Sequence, residues 1–301
     1  MEFSYGKSLK SGEKIRKSII PRTLLAMLVL TVCLSIQNSF AEELWKTLPA
    51  PKPVPKAEVE GYAKVNGVKI YYAIYGSGDP LILLHGGLGN TDYWGSQIGP
   101  FSVKYRVITI ASRGHGRSTR DNQPYSYHLM ASDVLAVMDH LLIQKASIVG
   151  WSDGGNIGLD IAIHNPDRLV KLFAFGANFN PSGVKPTVET DATFGAYVKR
   201  AEADYVRLSK TPQQFNDFVT QISEMWAKQP NFSEKQLKSI PVPVAVADGE
   251  YDEAIKPEHT KKMASLIPGS TLIILPKLSH FAMWQDPKAF NTAVLNYLKR
   301  K

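Results

Sequence analysis

Ser152, Asp252 and His280 each stand just beyond an apolar run, in an order that could assemble a nucleophile, an orienting acid and a base. A serine hydroxyl is a poor nucleophile near neutral pH, so it needs a base, and the base needs a group to orient it. The chemistry open to such a set is acyl transfer. Ser152 lies within Gly150-Trp151-Ser152-Asp153-Gly154-Gly155, after the apolar Ala146-Ser147-Ile148-Val149 and before the helix-like Asn156–Ala162. This is Gly-x-Ser-x-Gly between a buried strand and a helix, the setting of a nucleophile elbow. A tight strand-to-helix turn strains the serine backbone, and side chains at the flanking positions would clash, which calls for glycine at both. The hydroxyl is then held beside a helix N-terminus, whose partial positive charge favours a developing anion. A base and an acid are expected at the ends of later strands. Val242–Ala247 runs into Asp248-Gly249-Glu250-Tyr251-Asp252, and Thr271–Leu275 runs into Pro276-Lys277-Leu278-Ser279-His280. The resulting order is Ser152, Asp252, His280, with Asp248 and Glu250 as rivals for the acid on the same turn.

The elements that must position these residues alternate between strand and helix. Tyr62–Val65 and Val68–Tyr75 flank Asn66-Gly67, a type I′ hairpin signal. Pro80–His85, Tyr105–Ala111, Ala146–Gly150, Val170–Gly176, Val242–Ala247 and Thr271–Leu275 read as strands, and the continuous apolar runs suit burial on both faces. Tyr127–Leu142 spaces Met130, Val134, Val137, Met138 and Leu141 at helical intervals, and further helices are expected near 153–164, 257–266 and 287–299. The last begins with Asp286 as N-cap and Pro287 at the first helical position. Such alternation predicts an α/β fold with a doubly wound, mostly parallel sheet. Residues 178–240 break the rhythm. They are rich in helix formers and aromatics (Phe194, Tyr197, Tyr205, Phe215, Phe218, Trp226) without a convincing strand, and read as a helical cap inserted between core segments 60–177 and 241–301.

The N-terminus reads as an export signal. Six Lys/Arg from Lys7 to Arg22 precede an uncharged, mostly apolar stretch, Thr23–Ile36, which is short for a membrane span. Ser39-Phe40-Ala41 offers small residues for cleavage after Ala41, giving a periplasmic or secreted protein; an uncleaved membrane anchor is the alternative. A lipoprotein reading through Cys33 is weaker, because Val32 stands where a small residue is expected. Residues 42–59, with proline at every second position from Pro49 to Pro55, read as an extended tether. The whole chain carries 35 Lys/Arg and 27 Asp/Glu, a net charge of +8. The leader holds six of the former and two of the latter, so the mature charge falls to +4. No basic run interleaved with aromatics remains, which gives nucleic-acid binding little support. The one cysteine, Cys33, lies in the leader, so the mature chain has no disulfide, thiol nucleophile or thiolate metal site.

On these residues the chain resembles the α/β-hydrolase-fold serine hydrolases. The likeness covers about Tyr62 to Leu298. It rests on His85-Gly86-Gly87, Arg113-Gly114-His115-Gly116-Arg117-Ser118, the elbow, Gly249-Glu250-Tyr251-Asp252, and Ser279-His280-Phe281. It implies an eight-stranded sheet and a triad of Ser152, Asp252 and His280, the Gly-x-x-Asp pattern favouring Asp252 over its rivals. It also implies an oxyanion hole from the amides of Gly87 and Asp153. The implied activity is hydrolysis of a small carboxylic ester or lactone, with no metal, flavin, nucleotide or other cofactor. Carbon–carbon bond hydrolases and cofactor-free perhydrolases share the triad, and a ligand receptor on the same scaffold is the alternative outside enzymes. Epoxide and haloalkane hydrolysis are disfavoured, because those relatives use aspartate where this chain has Ser152.

Other candidates have plainer readings. The Arg113–Ser118 loop is expected to be structural, which leaves His115 without a role as base. His85 is expected to pack behind the oxyanion loop, and Trp94, Trp226 and Trp284 to form core or pocket wall. Asp153 is an unusual neighbour for a site that develops negative charge. It reads either as a solvated or hydrogen-bonded first-turn acid or, by likeness of Trp-Ser-Asp-Gly-Gly to amino-acid-ester hydrolases, as a partner for a cationic substrate group.

Overall fold

The computed structural model of the chain describes residues 43–300. The leader, its cleavage site and Cys33 therefore lie outside the described residues. Eight strands form one sheet: β1 (Val59–Val65), β2 (Val68–Tyr75), β3 (Asp79–Leu84), β4 (Tyr105–Ile110), β5 (Ala146–Trp151), β6 (Leu169–Phe175), β7 (Val244–Gly249) and β8 (Thr271–Leu275). Their spatial order is β1-β2-β4-β3-β5-β6-β7-β8. β2 runs antiparallel to β1 and β4, and every other pairing is parallel. The Asn66-Gly67 hairpin forms with both residues at positive φ, as a type I′ turn requires.

The apolar runs become strands because both of their faces are covered. Along β3, Ile82 and Leu84 enter the core on one face while Leu81 and Leu83 enter the core on the other, all of them fully buried. Each such side chain contributes about 1.5–3 kcal/mol of burial. β8, at the sheet edge, leaves Leu272 and Ile274 exposed.

The helices are α1 (Gly95–Ser102), α2 (Tyr127–His140), α3 (Asp153–His164), α4 (Ala192–Leu208), α5 (Phe215–Trp226), α6 (Glu234–Lys238), α7 (Pro257–Leu266), α8 (Ala282–Gln285) and α9 (Pro287–Leu298). The Asp286 side chain caps α9 by accepting from the Ala289 amide at 2.9 Å. α1 carries no helical signal in the sequence, since its Gly95, Gly99 and Pro100 are poor helix formers. It forms because Ile98 and Phe101 bury completely against the sheet-side core. Between β6 and β7 the chain forms α4, α5 and α6 and no strand.

The proline-rich segment is extended but lies along the domain. Arg200 of α4 donates to the carbonyls of Leu48 and Pro49 at 2.7 and 2.8 Å, and Leu48, Val54 and Ala57 pack on the core. No helix among the described residues is long and apolar enough to cross a membrane.

Candidate active site

Ser152 occupies the single residue between β5 and α3, with φ +54° and ψ −118°. A non-glycine backbone in that region costs of order 1–3 kcal/mol and persists only where its surroundings hold it. Here the Ser152 amide donates to the Phe175 carbonyl at 2.7 Å, while its own carbonyl accepts from Gly155 and Asn156. A Cβ on Gly154 would lie 2.1 Å from the Leu84 carbonyl oxygen, and one on Gly150 would lie 2.2 Å from that of Gly154. Both glycines are thus fixed by close approach, as the motif predicts.

The loop after β8 carries His280, and its backbone is gripped from two sides. The His280 amide donates to Glu253 Oε2 at 2.9 Å, and its carbonyl accepts from the Trp151 indole at 2.9 Å. The ring packs against the bare backbone at the end of β6: Gly176 has φ +61°, and a Cβ there would fall 2.7 Å from His280 Cε1. The only signal of this role in the sequence is a glycine closing the apolar run that ends at Gly176.

Of the three rival acids, Asp252 is the one that meets the histidine. Its Oδ2 lies 2.6 Å from His280 Nδ1, while its Oδ1 accepts from the Ala254 and Ile255 amides at 2.7 and 2.6 Å. Asp248 instead accepts from the Thr260 hydroxyl and the Gly249 amide, and Glu250 from the exposed Lys277 amide. Burial works against ionisation of Asp252, but the charge and hydrogen bond of His280, helped by Asp248 and the Ile255 amide, outweigh it and hold the carboxyl down at about 2. Burial likewise opposes a charge on His280, yet Asp252, Glu253 and Asp153 together raise its pKa above the ordinary value. Burial and the neighbouring Asp252 push Asp248 well up, and the same two causes bring Glu253 up to about 7. Nothing in the sequence singles out Glu253; its Oε1 is buried and, among the described residues, has no hydrogen-bond partner.

Gly87 and Asp153 face the same space. The Gly87 carbonyl accepts from the Tyr197 hydroxyl at 2.5 Å, and Leu88 follows at φ +60°, a second strained residue on the cavity wall. A Cβ on Gly87 would lie 2.3 Å from Trp226 Cζ2 and 2.6 Å from Asp153 Oδ2. The Asp153 side chain is buried rather than solvated. Tyr127 donates to its Oδ1 at 2.7 Å, and the Trp226 indole lies 3.0 Å from each oxygen. Burial pushes its pKa up to about 6 against those two donors.

Ser152, His280, Gly87 and Asp153 line one cavity of about 560 Å³, walled on the cap side by Phe194, Tyr197, Val219 and Trp226. That volume suits a small organic molecule. The arrangement brings a serine hydroxyl, a histidine backed by a carboxylate, and the backbone of Gly87 and Asp153 to one cavity.

The remaining candidates fall outside the cavity wall. Arg113 is fully buried and pairs with Asp133 through Nε and Nη2 at 2.6 and 2.8 Å, which fixes its loop to α2. His115 packs edge-on against Phe218 of the cap, and His85 bonds the Gly86 carbonyl and the Ser112 amide. Burial lowers both, to about 3 for His115 and about 4 for His85. Trp94 and Trp284 are core residues.

A family model described as the alpha/beta hydrolase fold matches residues 79–224. The 3-oxoadipate enol-lactonase 2 of Acinetobacter baylyi is 30% identical over 254 residues, which cover 77% of this chain and 94% of the relative. The 2-hydroxy-6-oxo-6-phenylhexa-2,4-dienoate hydrolase of Burkholderia cepacia is 26% identical over 269 residues, covering 78% and 92%. Among solved structures, the enol-lactonase of Burkholderia xenovorans superposes with a TM-score of 0.64 at 23% identity, over 80% of this chain and 100% of the other.

Proposed function

We infer, for a chain that belongs to the alpha/beta hydrolase fold family, that it is a serine hydrolase cleaving a small carboxylic ester or lactone through an acyl-enzyme. The observation that carries this reading is that His280, held by a 2.6 Å contact from its Nδ1 to Asp252 Oδ2, lines the same cavity as Ser152. Ser152 Oγ attacks the carbonyl carbon and His280 Nε2 takes its proton, while Asp252 fixes the tautomer and stabilises the imidazolium. The amides of Gly87 and Asp153 receive the tetrahedral oxyanion, each worth roughly 3–4 kcal/mol in serine hydrolases. His280 then protonates the leaving alcohol. Water activated by the same nitrogen releases the acid and restores Ser152.

The 30% identity to an enol-lactonase supports ester-type substrates over carbon–carbon bonds. The apolar cap wall suits an acyl or alcohol group with apolar bulk. Export is part of the same proposal, with cleavage after Ala41; an intact mass of the envelope or secreted protein beginning at Glu42 tests it.

The test of the function is labelling with a fluorophosphonate followed by an ester and lactone screen. The mature chain should gain one adduct at Ser152, and Ser152→Ala and His280→Ala should abolish it. Turnover of at least one ester or lactone, absent in Ser152→Ala, should follow. A folded wild type that neither labels nor turns over would overturn the reading and favour a ligand receptor on the same scaffold.

A further inference from the structure

We propose that His128, Asp160 and His164 form a site for a borderline divalent transition cation such as Zn²⁺, which pins α2 to α3. Asp160 and His164 are four residues apart on α3 and therefore share a face, and α2 packs along that helix and brings His128 from its first turn. His128 Nδ1 lies 3.0 Å from Asp160 Oδ1, and His164 Nδ1 lies 3.2 Å from the same oxygen. One ligand atom from each residue lies within 4.8 Å of the others. Neighbouring ligands of a tetrahedral Zn²⁺, bonded at about 2.0–2.2 Å, sit about 3.3 Å apart. Two of the three spacings are already near that value, and a small ring rotation closes the third.

The donor chemistry points the same way. Two imidazole nitrogens and one carboxylate oxygen suit Zn²⁺, Co²⁺ or Ni²⁺ rather than Mg²⁺ or Ca²⁺, which favour all-oxygen shells. The Asp160 side chain is only 4% exposed, yet among the described residues it pairs with no lysine or arginine. A buried carboxylate without a cationic partner is costly, and a bound cation supplies that partner. The histidine side chains are 69% and 38% exposed, so the cation enters from solvent and the Nε2–H groups stay in water.

Asp160 is eight residues along α3 from Ser152, about 12 Å of helix, so the cation takes no part in acyl transfer. What it joins is structural. α3 begins at the elbow, and the residue before His128 is Tyr127, the donor to Asp153.

Untagged protein stripped with a chelator should bind one Zn²⁺ per chain in equilibrium dialysis. Its Tm should rise by about 5 °C at a hundredfold excess over Kd. Co²⁺ should develop the visible absorption of a low-coordinate site, and Mg²⁺ should do neither. His128→Ala and His164→Ala remove half-exposed or exposed rings, so the variants should fold and lose the metal response. Variants that respond like the wild type, a wild type that takes up no stoichiometric Zn²⁺, or uptake without a thermal shift would each overturn the clamp. In that event the two imidazoles serve only as hydrogen-bond partners of Asp160.

Discussion

The Trp226 indole nitrogen lies 3.0 Å from both carboxylate oxygens of Asp153, so the last residue of a cap helix holds the residue that follows the nucleophile. With Tyr127 supplying a third contact, cap and core meet on one buried acid beside Ser152. The position of the cap is therefore felt at the elbow through hydrogen bonds as well as through packing.

Asp153→Asn keeps the size of that side chain and one oxygen able to accept from both Tyr127 and Trp226, while removing the charge. If the charge recognises a cationic group, kcat/KM for an amino-acid ester should fall at least tenfold relative to a neutral ester of the same shape. That is roughly the 1.4 kcal/mol that a weak charge contact supplies. An equal fall for both esters would rule out the recognition role and leave Asp153 as an organiser of the elbow.

The same preference should depend on pH. Burial pushes Asp153 up to about 6, so the carboxylate, and with it any preference for amino esters, should be lost as pH falls through that value. The Trp226 hydrogen bond opposes this upward push. Trp226→Phe should therefore move the midpoint to higher pH, and urea unfolding should show a loss of about 2 kcal/mol for the hydrogen bonds to a charged group. A midpoint that stays fixed would show that Asp153 is not the titrating group.

His280 must be neutral to act as base. Burial favours the neutral form, but the surrounding carboxylates win and raise its pKa above 6.5. kcat/KM should thus lose about tenfold per pH unit below a limb lying above 6.5. Asp252→Asn should lower kcat by about 10⁴ and shift that limb downward, because the largest charge favouring the imidazolium is gone. A limb that does not move would assign the shift to Glu253 or Asp153 instead.

Gly176→Ala places a methyl 2.7 Å from His280 Cε1, in a backbone region with φ +61°. The ring must then move away from its resting position. A displacement near 1 Å costs about 10² in rate, so kcat should fall by about that factor while circular dichroism stays native. Activity within twofold of the wild type would show that the ring is not seated by this contact.

Glu253 is buried, and burial together with Asp252 raises it to about 7 from 4.5. The folded state then keeps a proton that the unfolded chain releases, so stability declines as pH rises from 4.5 and levels off above 7. The total is about 3 kcal/mol for a shift of this size. Glu253→Gln, neutral throughout, should flatten the fall in urea-unfolding stability over that window. A parallel curve for the variant would place the pH dependence elsewhere.

Much of the framework was legible in the chain because its signals are local. The apolar runs of β3 and β5, the Asn66-Gly67 hairpin, the Asp286-Pro287 start of α9 and the elbow glycines each depend on neighbours a few residues away. The glycine- and proline-containing α1 was not legible, since burial of Ile98 and Phe101 overrides its poor propensity. The site shows the same division. Residue types and strand ends single out Ser152, His280 and the turn from Asp248 to Asp252, and the Gly-x-x-Asp likeness favours Asp252, but the contact with the histidine itself exists only in the folded backbone. Which acid of that turn reaches His280 is decided by the parallel register of β7 and β8 and by the amides of Ala254 and Ile255 that aim Asp252. The burial of Asp153 between Tyr127 and Trp226, and of Glu253 under the His280 amide, likewise joins residues 26 to 73 positions apart. Sequence periodicity determines what a segment becomes; the meeting of distant side chains, and the desolvation that sets their charge, exists only once the sheet has brought its strand ends together.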